Sequence, residues 1–196
     1  MTELPFAFTL PLPEGIPSKF DNHLERPLSS LEGLFFDELA RKERLATGDA
    51  MVYEVYEIAG PQVAGELLMG VTVIHPGKVG TEFHMTKGHF HSIRETAEVY
   101  FCLKGEGVMV METPEGKTAV EPLMPGRVLY VAPRWGHRSV CTSRQDDLVM
   151  FFAYPGNAGH DYDTIAERGF RKLIVDGKGG LEVIDNPRWI APQKPR

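Results

Sequence analysis

Short runs rich in Val, Tyr, Phe and Leu begin at Met51 and recur almost to the end of the chain, each bounded by turn residues. The pattern predicts strands over 51–56, 66–75, 98–104, 107–112, 127–131, 138–142, 148–154, 171–175 and 181–184. The runs Gly105-Glu106-Gly107, Pro114-Glu115-Gly116, Pro125-Gly126 and Gly177-Lys178-Gly179-Gly180 punctuate them. Many short strands at a spacing of about 8–12 residues predict an all-β sandwich or barrel. Before them, Leu31, Leu34, Phe35 and Leu39 share one helical face behind an S-x-x-E capping box, Ser29 to Glu32, so a helix is expected up to Gly48. A second, short helix is expected over 164–168, capped by Asp163 and closed by Gly169. Residues 1–28 are broken by five prolines and read as an arm lying across its own sheet or a partner. The expected organisation is an arm and helix over 1–48, a barrel over 49–190 and a tail over 191–196.

Composition narrows the class. The chain has 196 residues, enough for one domain with a full core. No apolar run approaches the roughly 20 residues of a membrane span, so no membrane partner is expected. With 21 basic and 27 acidic residues and no basic stripe, no nucleic-acid partner is expected either. The N-terminal residues lack a signal-peptide pattern, and the cytoplasm is the expected location. Cys102 and Cys141 are too few and too far apart for a disulfide framework or a zinc site built from four cysteines.

The chemistry lies in the histidines, six of seven falling between positions 75 and 160. On a strand, His89 and His91 point to one side, which makes a bidentate metal clamp. Glu98 follows at the start of a predicted strand, and His137 comes after Pro133-Arg134-Trp135-Gly136. Three imidazoles and a carboxylate suit Fe, Mn, Ni or Zn, and the donors alone do not choose. Glu95 is the other acid between His91 and Gly105, but Glu98 is the one that alternates properly with Tyr100 on the predicted strand. His75 and His84 match no ligand position, and Arg94, Arg134 and Arg138 read as rim charges.

Read together, Gly88, His89, His91, Glu98 and Gly105, followed by Gly126, Pro133, Gly136 and His137, resemble the paired motifs of the cupin superfamily. That resemblance implies a double-stranded β-helix, or jelly roll, with a metal in its mouth. Cys141 stands where the superfamily usually has Asn. A closer resemblance runs from about Tyr53 to Trp189. The strings TKGHFH (86–91), AEVYFCLKGEG (97–107), TPEGK (113–117), YVAPRWGHRSV (130–140), YPGNAGHDYDTIAERGF (154–170) and VIDNPRW (183–189) look like the cupin-type phosphoglucose isomerases. The longer gap between His91 and Glu98 is that family's own variant.

The resemblance implies a glycolytic and gluconeogenic aldose–ketose isomerase that interconverts glucose 6-phosphate and fructose 6-phosphate, by enediolate proton transfer or by hydride shift. It implies a homodimer with one divalent metal per subunit, iron first, with nickel, zinc and manganese as alternatives. His89, His91, Glu98 and His137 would be the metal ligands. Glu98 would be the base, His160 would open the ring or carry the hydroxyl proton, and Tyr100 would position the carboxylate or the sugar. Tyr53, Thr72, Thr86, Gly88, Tyr154 and Tyr162 would hold the phosphate through hydroxyls and backbone N–H groups, with Lys87 adding long-range attraction. The other readings are a metal-dependent cupin dioxygenase, which has no use for Tyr154, His160 and Tyr162, and a non-catalytic sugar-binding cupin, which would not need Glu98.

Overall fold

A computed structural model describes residues 5–58 and 60–192. The ends of the expected arm (1–4) and tail (193–196) therefore lie outside the described residues. In chain order the strands are β1 (Asn22–Pro27), β2 (Met51–Ile58), β3 (Leu67–Ile74), β4 (Lys78–Val79), β5 (Glu82–Phe83), β6 (Phe90–His91), β7 (Glu98–Lys104), β8 (Gly107–Glu112), β9 (Thr118–Leu123), β10 (Val128–Val131), β11 (Gly136–Cys141), β12 (Leu148–Pro155), β13 (His160–Asp161), β14 (Lys172–Gly177) and β15 (Gly180–Asp185). The two α-helices are α1 (Glu38–Ala46) and α2 (Asp163–Arg168).

One sheet has six strands in the order β1-β2-β3-β12-β7-β10. Facing it, β9-β8-β11 continue through single bridges, Met85 with Val140 and His89 with His137, onto the segment that leads into β6. β4, β5, β14 and β15 form a further antiparallel layer. From β7 to β12 the chain passes repeatedly between the first two sheets, the winding of a double-stranded β-helix. Strand alternation fills the space between them. Glu98, Tyr100 and Cys102 of β7 point inward, while Val99 and Phe101 point outward. Leu148 and Met150 of β12, Met109 of β8 and Ile74 of β3 complete the core and are fully buried.

A second apolar patch lies on the outer face of the six-stranded sheet, where Tyr56, Val71, Val73 and Val149 are buried. The arm covers it: Leu10 packs on this patch, and the ring of Phe8 stands 6.4 Å from that of Phe151.

Two local expectations change. The single helix expected from Ser29 is a 3-10 turn over Leu28–Leu31 followed by α1. Gly33, at φ +75°, breaks the run, and Asp37 rather than Ser29 caps α1 by accepting from Ala40 N. Ser29 instead donates its N–H and hydroxyl to Asp49, at 2.8 and 2.6 Å. Leu31 and Phe35 are buried as expected, but Leu39 is exposed. At α2 it is Asp161, not Asp163, that accepts from the N–H and hydroxyl of Thr164, while Gly169 ends the helix as expected, at φ +71°.

Candidate active site

The topology brings together histidines that are remote in sequence. His89 and His137 are an antiparallel pair that exchange both backbone hydrogen bonds, at 3.1 and 3.0 Å. Two residues on, His91 of β6 pairs with His160 of β13. Glu98 enters from the opposite sheet on β7. The donor atoms of His89, His91, Glu98 and His137 all lie within 4.8 Å of one another. Glu98 Oε2 is 3.0 Å from both His91 Nε2 and His137 Nε2. Glu95 is exposed and outside this cluster, so the structure places Glu98, not its competitor, at the fourth position.

These donors fit a cation. His91 Nδ1 is 2.8 Å from the Thr96 hydroxyl, whose own proton goes to Ile93 O at 2.6 Å. The hydroxyl therefore accepts from His91 Nδ1–H, which turns Nε2 toward the Glu98 carboxylate. A neutral imidazole held by its Nδ1–H in this way presents its Nε2 lone pair to a cation shared with the carboxylate, 3.0 Å away. His89 Nε2 and both ring nitrogens of His137 are buried and make no hydrogen bond among the described residues. Burial, with the neighbouring His137 and His160, pushes the His89 imidazole well below its usual pKa and keeps it neutral, as a metal ligand must be. Burial alone would raise the Glu98 carboxyl, but the surrounding imidazoles outweigh it, led by His137, and hold it below the carboxylate range, hence ionised.

Other expected site residues surround this cluster. Burial first, then the charge and hydrogen bond of Glu98, raise the Tyr100 hydroxyl far above its usual value, so it remains a donor to that carboxylate. The His160 ring meets His89 edge-on at 4.3 Å, and burial lowers its pKa. Arg94 pairs with Asp161 and lies over the Phe90 ring, tying the His160 strand down rather than standing free on the rim.

A pocket opens beside the cluster and is lined by Tyr53, Thr72, Thr86, Gly88, Tyr154 and Tyr162, the whole expected phosphate set, together with Glu98, Tyr100 and His160. The set divides within it. Thr86 Oγ1 accepts from Ser139 N at 3.1 Å, which fixes the Thr86–Gly88 loop against β11. Gly88 is needed on its far side: at φ +70°, a Cβ there would come within 2.7 Å of His137 O and 2.6 Å of Phe170. Tyr154 instead packs against the rings of His91 and His160, at 5.8 and 5.4 Å, at the imidazole end. Tyr162 stands 5.3 Å from His89 and is half exposed. Burial pushes its hydroxyl up to about 12.

The sequence reading missed Glu57 and Ser139 in the pocket wall, and missed the apolar lining of Leu24, Val55 and Phe152. Period-two alternation from Tyr53 through Val55 to Glu57 is the signal that could have found Glu57. Arg138, expected at the rim, is buried beneath the loop. Its guanidinium donates to Lys87 O at 2.8 and 3.2 Å and lies 4.5 Å from the Phe170 ring, and burial lowers its pKa to about 10.

Comparison with known proteins identifies the family of the chain. The glucose-6-phosphate isomerase (GPI) family matches residues 25–190. The glucose-6-phosphate isomerase of Pyrococcus horikoshii is 49% identical, over 85% of this chain and 87% of its own. That of Pyrococcus furiosus is 45% identical, over 96% of this chain and 99% of its own. A solved Klebsiella pneumoniae protein with a double-stranded β-helix domain overlaps 54% of this chain and 79% of its own, at a TM-score of 0.43 and 16% identity. At that level the overlap carries no argument, and the fold assignment rests on the strand topology. The extent and identity of the matches to the Pyrococcus enzymes, and the family match over most of the chain, show that this chain belongs to the glucose-6-phosphate isomerase family.

Proposed function

We propose that the chain interconverts glucose 6-phosphate and fructose 6-phosphate in glycolysis and gluconeogenesis, with His89, His91, Glu98 and His137 holding one divalent metal, iron first among iron, nickel, zinc and manganese. The observation that carries this reading is the convergence of three imidazoles and an ionised carboxylate beside a pocket that is also lined by hydroxyl donors. When bound, the cation supplies Lewis-acid polarisation of the oxygens on C1 and C2 of the opened sugar.

The residues do the rest. Glu98 takes the proton from C2 of the aldose and returns it to C1, passing through an enediolate. A carboxylate fully engaged by a metal is a weak base. Here one oxygen, Oε2, faces both imidazoles, which leaves the other oxygen to exchange the proton. Tyr100 donates to the carboxylate and keeps it oriented. His160, neutral and at the pocket mouth, opens the ring and moves the proton between the two hydroxyl oxygens. Tyr53, Thr72, Thr86 and the Gly88 loop bind the phosphate, and Tyr154 and Tyr162 hold the sugar between the two ends. This use of Tyr154, His160 and Tyr162 favours an isomerase over a dioxygenase. The retained Glu98 favours an enzyme over a binding module. The same reading carries a cytoplasmic homodimer.

The deciding experiment is a coupled assay on fructose 6-phosphate, first with chelator and then with each divalent metal restored. Activity that disappears with chelator and returns with metal is expected. Full activity in chelator would remove the metal from the mechanism, and no activity with any metal would remove the isomerase.

A further inference from the structure

The expected phosphate set holds only neutral donors. β1, an edge strand that the sequence pattern did not announce, adds charge to it. Leu24 and Arg26 lie two apart on β1 and so share a face. Leu24 lines the pocket, and the register sets Leu24 opposite Val55 and Arg26 opposite Tyr53, both of which also line it. His23 and Glu25 occupy the other face and are exposed.

Arg26 is half-buried, and its guanidinium lies against the Tyr53 hydroxyl. Its Nε is buried with no hydrogen-bond partner among the described residues, and its Nη1 donates to the Glu25 carbonyl at 3.4 Å. Lys87, the residue before Gly88, lines the same pocket, and its backbone meets the Tyr53 hydroxyl from its own side. Its ammonium is lowered first by burial and then by the charge of Arg26, so the two cations lie within one another's field. Two like charges beside a ring of hydroxyls repel one another unless an anion sits between them. At the other end of the same β2 face, Glu57 presents a carboxylate to the pocket.

We propose that Arg26, together with Lys87, grips the phosphate of the phosphosugar, and that Glu57 repels that phosphate from the opposite end and so fixes the orientation of the substrate. A guanidinium offers a planar pair of N–H donors to two phosphate oxygens, which tyrosine and threonine hydroxyls cannot do. This deepens the proposed function and rests on its assignment of the pocket to a phosphosugar.

The test is Arg26→Gln in the metal-loaded enzyme, read two ways: steady-state kinetics on fructose 6-phosphate, and calorimetric binding of glucitol 6-phosphate, which has no carbonyl to isomerise. A lost charge-assisted hydrogen bond should raise KM and the glucitol 6-phosphate Kd about tenfold or more. The kcat should stay within about twofold, because in this orientation Arg26 holds the phosphate end rather than the reacting carbons. Arg26→Lys should recover part of the loss. A Kd within about twofold of the parent, or a fall in kcat at unchanged KM, would overturn the proposal. A chain that binds glucitol 6-phosphate through Arg26 but never turns over fructose 6-phosphate would sink the isomerase reading and leave this one standing. Should Arg26→Gln fail to fold, Arg26→Lys against the parent gives the same comparison.

Discussion

Glu98 Oε2 stands 3.0 Å from His137 Nε2, a contact between the first residue of β7 in one sheet and the second residue of β11 in the other. The two sheets thus meet at a carboxylate and an imidazole, both almost wholly buried. As at His91, a cation shared by the two side chains would hold this arrangement. His137→Ala and His89→Ala should therefore purify with little metal by elemental analysis. In the parent chain, chelation should lower Tm, because a ligand at a hundred times its Kd contributes about 2.7 kcal/mol to the folded state. Full metal content in both variants would refute the ligand set.

Glu98→Gln keeps the shape of the side chain and removes the base. Turnover should fall by about 10²–10⁴-fold, the usual worth of a positioned general base, while glucitol 6-phosphate binding remains measurable. In deuterated water, the parent enzyme should introduce solvent deuterium at C2 of the glucose 6-phosphate formed from fructose 6-phosphate. Transfer with no solvent exchange would favour a hydride shift and demote Glu98 from base to ligand.

Tyr53 and Tyr154 line the same pocket, but their neighbours differ. Tyr53 lies by Arg26 and Lys87, whereas Tyr154 packs on His91 and His160. Tyr53→Phe should raise KM, by about tenfold if its bond to phosphate is charge-assisted, with little change in kcat. Tyr154→Phe should act mainly on kcat. The reverse pattern would return Tyr154 to the phosphate end.

What the sequence disclosed follows from how local each signal is. His89, His91 and Glu98 were legible because alternation on a strand determines which side chains share a face, and Gly105 and Gly107 bracket β7 and β8 tightly enough to give their ends. The pairing of β6 with β13 was not legible. Each has two residues, too short for any periodicity, yet this pairing sets His160 beside His91. β1 was hidden by its composition, since NHLERP is polar with a terminal proline, as an edge strand often is. β9, with Glu121 and Pro122 within it, was hidden for the same reason. The strings ending in ERGF and NPRW carried the family resemblance but little of the chemistry. Arg168, Phe170 and Trp189 belong instead to packing and to a buried ion-pair network.

His75, which matched no ligand position, has a structural role on the outer face. Its Nδ1 lies 2.9 Å from Asp147 Oδ1 and its Nε2 2.9 Å from Glu54 Oε2. Carboxylates only accept, so both ring nitrogens donate and the ring is an imidazolium. Burial opposes that charge, but the two carboxylates outweigh it and raise the His75 pKa above 6.5. A raised folded-state pKa gives stability that is complete below 6.5 and disappears as pH rises through the folded value. For Glu54 burial is likewise outweighed, by His75, His23 and Tyr56, so its pKa is lowered. Its contribution is present above 4.5 and lost as pH falls through the folded value. The Tm difference between the parent and His75→Gln should therefore be largest between these limits, near about pH 5.5, and should shrink by about pH 9. A difference that does not vary with pH would mean that the ring only packs.

Glu112, at the end of β8, is fully buried and carries three partners: Arg168 Nη2 at 2.5 Å, Trp189 Nε1 at 3.0 Å and Arg171 N at 2.6 Å. The partners come from α2, the start of the β14 segment and the stretch after β15, so one carboxylate ties the C-terminal layer to the barrel. α2 follows His160 and Tyr162 directly, which puts this tie within a few residues of the pocket. Glu112→Ala leaves the Arg168 guanidinium buried without its counter-ion and should cost about 3–5 kcal/mol. Glu112→Gln keeps acceptors for Trp189 and Arg171 but not the charge, and should cost less. Denaturant melts of the metal-loaded enzyme measure both. If the tie also positions the pocket mouth, the surviving folded fraction of Glu112→Gln should show a higher KM at unchanged metal content. Melts identical to the parent would show that the C-terminal layer holds to the barrel without this carboxylate.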